Sequence, residues 1–261
     1  MRFVVLLLLL AGFIFFFYGR SIRFPEEEKN YDENRVFGEI SDSEIQQEGK
    51  INIEGIGEFT FSPGEVETVR KDLFKEGFFS VFDILVSLDG SGVIDMTYRF
   101  DESMNTHVIE SMNGRENWWY RAHYDGGWPE GNAFRMDHFP YKDKMVIVVF
   151  EDDQDNLGNI YQAFREEIER KNKNDGKIIV PEVIIRGRGN KMVFNDLEIK
   201  AYNLRNDMLK EGTITALDVI LTLGEDNKLT YHLQWRDSIG SIMLSSGMFI
   251  SKAAAAAAAA L

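Results

Sequence analysis

Apolar residues of this chain follow a helical period in two short stretches and an alternating period around them. The first helical stretch has apolar residues at Val81, Ile84, Leu85 and Leu88. Spacings of three and four residues place these side chains on one helix face, so a helix of about two to three turns is predicted. Ser80 and Asp83 form a capping-box pattern at its start, and Gly90 falls where the helix should end.

The same helix occurs a second time in the chain. Val69–Leu88 reads VRKDLFKEGFFSVFDILVSL, and Leu204–Leu223 reads LRNDMLKEGTITALDVILTL. The identical pairs are Arg70/Arg205, Asp72/Asp207, Lys75/Lys210, Glu76/Glu211, Gly77/Gly212, Asp83/Asp218 and Leu88/Leu223, at an offset of 135 residues. An offset of domain length indicates a tandem duplication rather than a solenoid repeat. Thr215 and Asp218 repeat the capping pattern, and we interpret Asp83 and Asp218 as helix caps with no further role.

Strands are predicted before and after each helix. Ile51, Ile53, Phe59 and Phe61 alternate with polar residues around a Gly-x-Gly break, and Val183, Ile185 and Val193 repeat this pattern. The Gly-x-Gly pairs lack a third glycine and open no helix, so they predict a strand bend rather than a nucleotide site. After each helix, Ile94–Phe100 and Leu229–Trp235 alternate in the same way. Each copy therefore predicts an α+β module, a small mixed sheet crossed by one helix.

The longest apolar run lies near the N-terminus, at Phe3–Tyr18. As a helix it would span about 24 Å, slightly less than the roughly 30 Å of a hydrocarbon core. A cleaved secretory signal is the alternative, but the run is followed by no good small-x-small cleavage site. We therefore interpret residues 1–23 as a transmembrane anchor or uncleaved signal. Basic residues flank both ends and do not orient it, but the large acidic remainder is easier to place outside the membrane.

The remaining chain divides into five further segments. Residues 24–49 are an acidic tether, residues 50–152 the first module, and residues 153–176 a linker helix followed by a joint. The linker helix has Leu157, Tyr161, Phe164 and Ile168 on one face, which we expect to dock against one domain. Residues 177–252 form the second module. Residues 253–261 are an alanine-rich tail, either native or standing for unidentified residues that would lengthen this module.

Composition excludes several classes of function. The chain has 43 acidic and 29 basic residues and a formal charge of -14, which argues against a nucleic-acid surface. It has no cysteine, so disulfides, thiolate metal sites and a cysteine nucleophile are excluded. We find no phosphate loop and no serine–histidine–aspartate order with a nucleophile elbow. The sequence thus predicts a non-catalytic protein without a cofactor.

The densest group of aromatic and polar residues lies in a segment that only the first copy has. Its candidate binding residues are Trp118, Trp119, Tyr120, His123, Tyr124 and Trp128. A strand followed by Asp-Gly predicts a hairpin with one set of rings facing outward, where a protein partner, a neighbouring subunit or a small ligand could stack. The alternative interpretation is that these rings complete the core of a small domain.

A metal site or a hydrolytic centre is the remaining chemical possibility. His107, His123, Asp137 and His138 are the candidate ligands, but they lack helical ligand spacing and lie in no known metal motif. A hydrolase or metal enzyme using His123 and His138 is therefore a third hypothesis. It requires the histidines to converge within ligand distance.

The first module resembles the soluble-ligand-binding β-grasp group, in particular domains similar to the transcobalamin C-terminal domain. The resemblance rests on FSVFDILVSL, on THVIESMNG at Thr106–Gly114 and on the aromatic segment at Trp118–Tyr120. It covers Lys50–Asp152 and, more faintly, Pro181–Phe249. Such modules contribute to binding small molecules, cobalamin in the best-known case, or serve as accessory domains on surface proteins. The long helical companion domain of cobalamin carriers does not accompany the module in this sequence.

These observations together predict tandem β-grasp-like modules after an N-terminal transmembrane helix. The expected function is a membrane-anchored, extracytoplasmic, non-catalytic binding or assembly subunit with a protein partner or membrane complex. The alternative is a receptor for a sugar or tetrapyrrole-like ligand held by the aromatic hairpin of the first module.

Overall fold

The computed structural model describes residues 48–124, 134–186, 191–236 and 241–244. Unit 1 contains the described residues up to Asp175 together with Arg205–Glu211, and unit 2 contains Gly176–Leu204 and the described residues from Gly212 onward. The predicted anchor, the tether up to residue 47 and the alanine-rich tail lie outside the described residues. Within the described ranges, no helix is both long enough and apolar enough to cross a membrane.

The helices and strands confirm the predicted α+β class. Unit 1 contains β1 (Gly49–Ile53), β2 (Gly57–Phe61), α1 (Val81–Gly90), β3 (Met96–Asp101), β4 (Thr106–Met112), β5 (Trp118–Tyr124), β6 (Met145–Glu151) and α2 (Gln154–Lys173), with 3-10 turns at Pro63–Glu65 and Met136–His138. Unit 2 contains β7 (Ile178–Arg186), β8 (Lys191–Ile199), α3 (Ala216–Glu225), β9 (Leu233–Arg236) and β10 (Ser241–Leu244). In both units the described helices and strands begin in the order strand, strand, helix, strand, strand, and in unit 1 they are followed by β5, β6 and α2.

The main sheet of unit 1 is mixed, as predicted. Its strand order is β2-β1-β6-β5. β1 is antiparallel to β2 and parallel to β6, with Asn52 opposite Val148, while β5 and β6 are antiparallel. β3 and β4 form a separate antiparallel hairpin with a register shift between Thr97 and Tyr98. The described strands of unit 2 form two antiparallel hairpins, β7–β8 and β9–β10.

Two helices supply apolar side chains to the core of unit 1. Ile84 and Leu85 of α1 are fully buried in the same cluster as Ile51 and Ile53 of β1. Leu157 and Phe164 place the predicted apolar face of α2 in this cluster as well. The chain therefore buries apolar residues from α2, which composition alone would describe as a polar connecting helix.

The predicted caps are present at both repeated helices. Asp83 Oδ2 accepts from the Ser80 N–H at 2.6 Å, and Asp218 Oδ2 accepts from the Thr215 N–H at 2.6 Å. The expectation that these aspartates have no further role is wrong. The second oxygen of Asp83 accepts from the Val69 N–H, and that of Asp218 from the Tyr202 N–H, both at 2.7 Å. Each aspartate thus fixes a helix start to the segment that precedes it.

A repeated turn pairs with its own counterpart inside unit 1. The Lys75 N–H donates to the Met208 carbonyl at 2.9 Å, and the Lys210 N–H donates to the Leu73 carbonyl at 2.8 Å. Between these bonds, Phe74 lies opposite Leu209 in an antiparallel bridge. The positions are equivalent in the two copies, so the sequence around Arg70–Gly77 is complementary to its own repeat.

Candidate functional site

A cluster of polar and charged side chains lies inside unit 1 and forms the candidate site. Three segments contribute to it: the turn before α1, the start of β4 and the 3-10 turn at Met136–His138. We call it the ionic cluster, and its members are Arg70, Asp72, Asn105, Thr106, His107, Asp137 and His138. At its centre, Asp137 has no exposed surface and Arg70 is only 2% exposed. Charges buried to this degree must be paired, so the cluster's contacts decide what it can do.

Asp137 is the central acceptor of the ionic cluster. Its Oδ2 accepts from Arg70 Nη1, from the His107 backbone N–H and from His107 Nδ1, each at 2.9 Å. Its Oδ1 accepts from the Thr106 hydroxyl at 2.5 Å. Burial alone would raise the pKa of Asp137, but the bonds from His107 and Thr106 and the charge of Arg70 hold it well below its usual range. Asp137 is therefore ionised, and His107 carries its proton on Nδ1.

Arg70 joins two carboxylates. Its Nε and Nη2 donate to the two oxygens of Asp72 at 2.9 and 2.8 Å, which is a bidentate fork. Its Nη1 donates to Asp137 and to the Asn105 carbonyl, the latter at 3.1 Å. Burial opposes the charged form, but the bonds to Asp72 and Asp137 outweigh it and raise the pKa of Arg70. In the second copy, Arg205 forks Asp207 with the same distances.

His138 lies against the guanidinium of Arg70. Its Nε2 is 2.6 Å from Arg70 Nη1, and because guanidinium can only donate, this nitrogen must accept and the ring must be neutral. The Asn105 carbonyl, 3.0 Å from the same nitrogen, would accept from it only if Nε2 carried a proton, which the contact with Arg70 excludes. Burial lowers the pKa of His138 to about 4, with Arg70 and Arg135 acting in the same direction against Asp137. The neutral ring is consistent with this low pKa.

Aromatic rings surround the imidazole of His107. The ring stacks on Phe82 at 5.1 Å between centroids and meets the edges of Tyr98 and Phe100 at 5.9 and 5.0 Å. An aspartate–histidine pair is one part of a general base, but it acts only when a proton-bearing group lies within hydrogen-bond reach of Nε2. Since these rings pack around His107, the geometry supports a structural role for the pair.

The metal hypothesis required the histidines to converge, and three of its four residues do lie together. His107, Asp137 and His138 meet in the ionic cluster, whereas His123 lies on β5 opposite Val146. However, the guanidinium of Arg70 bonds Asp137 Oδ2 and the Thr106 hydroxyl bonds Oδ1, so both oxygens already accept from donors of the protein. Across the described residues, no group of three or more histidine, aspartate or glutamate side chains is arranged to hold a metal ion.

Three of the predicted contact residues belong to the core instead. Trp118, Trp119 and Tyr120 are 1%, 4% and 0% exposed. The sequence pattern predicted that one face of β5 is exposed. Trp119 on that face packs against Tyr161 and Phe164 of α2, with centroids 6.1 and 6.4 Å apart. For these three residues the expectation of an exposed contact surface is corrected, because a helix covers the second face of the strand.

The other three candidates are less closely defined. His123 is half-buried, and its buried Nδ1 has no hydrogen-bond partner among the described residues. The backbone of Tyr124 ends β5, while its side chain and the whole of Trp128 lie outside the described residues. The predicted aromatic hairpin is thus observed only as its first strand, which pairs with β6.

Sequence reasoning did not identify Arg70, Asp72, Asn105 or Thr106 as site residues. Arg70 and Asp72 did have a signal, since both are identical in the two copies. Asn105 and Thr106 had none, because their proximity to Arg70 depends on the fold. Asp137 and His138 were predicted only as metal ligands and not as partners of Arg70.

Comparison with known proteins adds no relative. No protein-family model, no curated protein and no solved structure matches the chain.

Proposed function

We propose that this protein is a membrane-anchored, extracytoplasmic, non-catalytic binding or assembly subunit built from two β-grasp modules. The proposal rests on one observation, the contacts that the residues identical in both copies make. Arg70 and Arg205 fork a nearby aspartate, and Asp83 and Asp218 each cap a helix and bind a preceding N–H. Residues retained in both copies therefore maintain a scaffold, and only Glu76 and Glu211 have no such described contact.

The remaining identical positions act in the same way. Gly77 and Gly212 have φ values of +82° and +84°, a conformation that favours glycine. Leu88 and Leu223 are 5% and 0% exposed and belong to the apolar faces of α1 and α3. Here the retained groups stabilise turns and helix starts.

The ionic cluster gives independent support for a non-catalytic role. Both oxygens of Asp137 are bonded by donors of the protein, and His138 Nε2 faces Arg70. A catalytic acid or base exchanges its proton with a substrate, whereas these groups bond one another inside the unit. We infer that the cluster holds the 3-10 turn at Met136–His138 against β4.

The β-grasp assignment is supported by unit 1. It has a mixed sheet, with α1 between the β1–β2 hairpin and the β3–β4 hairpin along the chain. Unit 2 repeats the order of elements. The membrane part of the proposal rests on the apolar run at Phe3–Tyr18. The alternative of a ligand receptor is weakened, since three of its six contact residues lie in the core.

The test is an extraction and protection experiment on the full chain with a C-terminal tag. The protein should stay in the membrane pellet when membranes are washed in alkaline carbonate. Protease added outside the membrane should degrade it. After mild detergent extraction, it should elute as a complex larger than one chain in its micelle. A chain without residues 1–23 is the matched control and should be released. Release of the full chain by carbonate contradicts the anchor, and elution as a single chain contradicts the assembly role.

A further inference from the structure

The edge at Leu73–Lys75 has an unusual property for an internal contact, because it pairs with equivalent positions of the repeat. One hydrogen bond joins Lys75 to Met208, and the other joins Lys210 to Leu73. Lys75 is equivalent to Lys210 and Leu73 to Met208, so both bonds connect the same two positions of the repeat. An interface in which residue i contacts residue j, and j contacts i, is the isologous kind found between identical subunits. The edge thus has the chemistry of a subunit contact inside one chain.

The side chains at the pairing keep their character in both copies. Phe74 and Leu209 are apolar and lie opposite each other, and Leu73 and Met208 supply the two accepting carbonyls. Phe74 and Met208 are each 2% exposed, so the contact buries apolar surface in addition to its hydrogen bonds. Lys75 also reaches the Asn206 carbonyl with its Nζ. Burial of this apolar surface favours pairing of Leu73–Lys75 with any segment that has the sequence of Arg205–Glu211, whichever chain supplies it.

We propose that Leu73–Lys75 is a self-recognition edge, through which one chain associates with a second copy by exchanging Arg205–Glu211. The proposal rests on the assembly function above and names its partner, a second copy of this chain. Exchange of an identical segment preserves every contact of the pairing, so only concentration and hinge geometry oppose it. The chain has a suitable hinge after α2, where Asp175 and Gly176 have φ values of +54° and +84°. Internal pairing wins at low concentration, because its effective concentration is in the millimolar range.

The chain contains no cysteine, which permits a direct test by disulfide trapping. Phe74→Cys and Leu209→Cys are introduced into two separate full chains, which are mixed, incubated and oxidised. Residues opposite each other in a bridge have Cα atoms about 4.5–5.5 Å apart, within the range of a disulfide. The expected result is a covalent dimer in the mixture, whose fraction rises with protein concentration. Thr97→Cys, an exposed residue of β3, replaces Phe74→Cys in the matched control and should lose the dimer.

Two further variants keep the outcome interpretable. Phe74→Cys and Leu209→Cys in the same chain should form an internal disulfide, which reports the pairing itself. If Phe74→Cys does not fold, as judged by circular dichroism, Leu73→Cys and Lys210→Cys, which face each other in the same antiparallel register, replace the pair at more exposed positions. A dimer from Phe74→Cys alone contradicts exchange of Arg205–Glu211, because it joins two identical edges rather than Phe74 to Leu209.

An internal disulfide without any covalent dimer at any concentration overturns self-recognition. The absence of both overturns the pairing as well. Neither result affects assembly with a different partner, which the extraction experiment reports separately. The two proposals can therefore fail independently.

Discussion

Removing the charge of Asp137 should destabilise unit 1 more than any exposed carboxylate does. In Asp137→Asn, Arg70 loses one of its two counter-charges while remaining 2% exposed. The side-chain amide keeps one accepting oxygen and turns a donor toward a site where Arg70, Thr106 and His107 already donate. Breaking a buried ion pair in this way costs about 3–5 kcal/mol. Domains are stable by about 5–15 kcal/mol, so this is a large fraction of the total.

The assay is urea unfolding followed by tryptophan fluorescence, since Trp118 and Trp119 are buried in the same unit. Glu110→Gln is the matched control, because it makes the same chemical change in a carboxylate that pairs with Arg99 at 3.1 Å. Both members of that pair are about half exposed, at 51% and 52%, so its loss should cost less than about 1 kcal/mol. A free energy of unfolding for Asp137→Asn within about 1 kcal/mol of that of the natural chain would refute the reasoning.

A double-mutant cycle separates the ion pair from the other bonds of Asp137. Arg70→Leu is combined with Asp137→Asn, and the coupling energy is the difference between the double change and the sum of the single changes. If the Arg70–Asp137 pair dominates, the double variant should lose clearly less stability than that sum. Simple additivity would show that the Thr106 and His107 bonds carry the effect instead.

Substitutions at His138, Asp83 and Trp119 test three further features of the structure. His138 has a pKa of about 4 in the folded protein, below its unfolded value, so the folded state binds the proton more weakly. Stability should therefore fall between pH 6.5 and pH 4, by at most about 3 kcal/mol. His138→Gln should flatten this pH dependence in urea titrations, and an unchanged slope contradicts the prediction. Ser80→Ala should lower the free energy of unfolding by about 1 kcal/mol, and Asp83→Ala should lower it further, because it also removes the bond from the Val69 N–H. Equal urea midpoints for the two variants contradict this. Trp119→Ala should cost about 3–5 kcal/mol in thermal melts, whereas nearly unchanged melting would place its ring at the surface.

Local patterns were sufficient for the elements that depend on nearby residues. The start of α1 follows from Ser80 and Asp83, which lie one helical turn apart, and the same spacing starts α3. The two strands before each helix follow from alternation, and the apolar face of α2 follows from its helical period. Such features are set by hydrogen bonds and side-chain directions within a few residues, so the sequence contains them directly. The duplication is likewise a property of the sequence alone.

Burial on the second face of β5 depended on the tertiary structure. Alternation along Trp118–Tyr120 says that neighbouring rings point to opposite faces, but it does not say which faces are covered. That was decided by α2, more than thirty positions further along the chain, whose Tyr161 and Phe164 pack on Trp119. The predicted contact surface therefore became core for a reason that no local pattern contains.

The ionic cluster shows the same limit for polar residues. Asp137 lies 67 positions from Arg70 and 30 from His107 in the chain, yet it bonds both. A charged residue in a sequence is ordinarily solvated, and its burial is tolerated only where the fold delivers enough donors to replace water. The sequence determined which residues can carry charge and where the chain duplicates. Only the tertiary structure decided which charges are buried together, because pairing over such distances is a property of the packed chain.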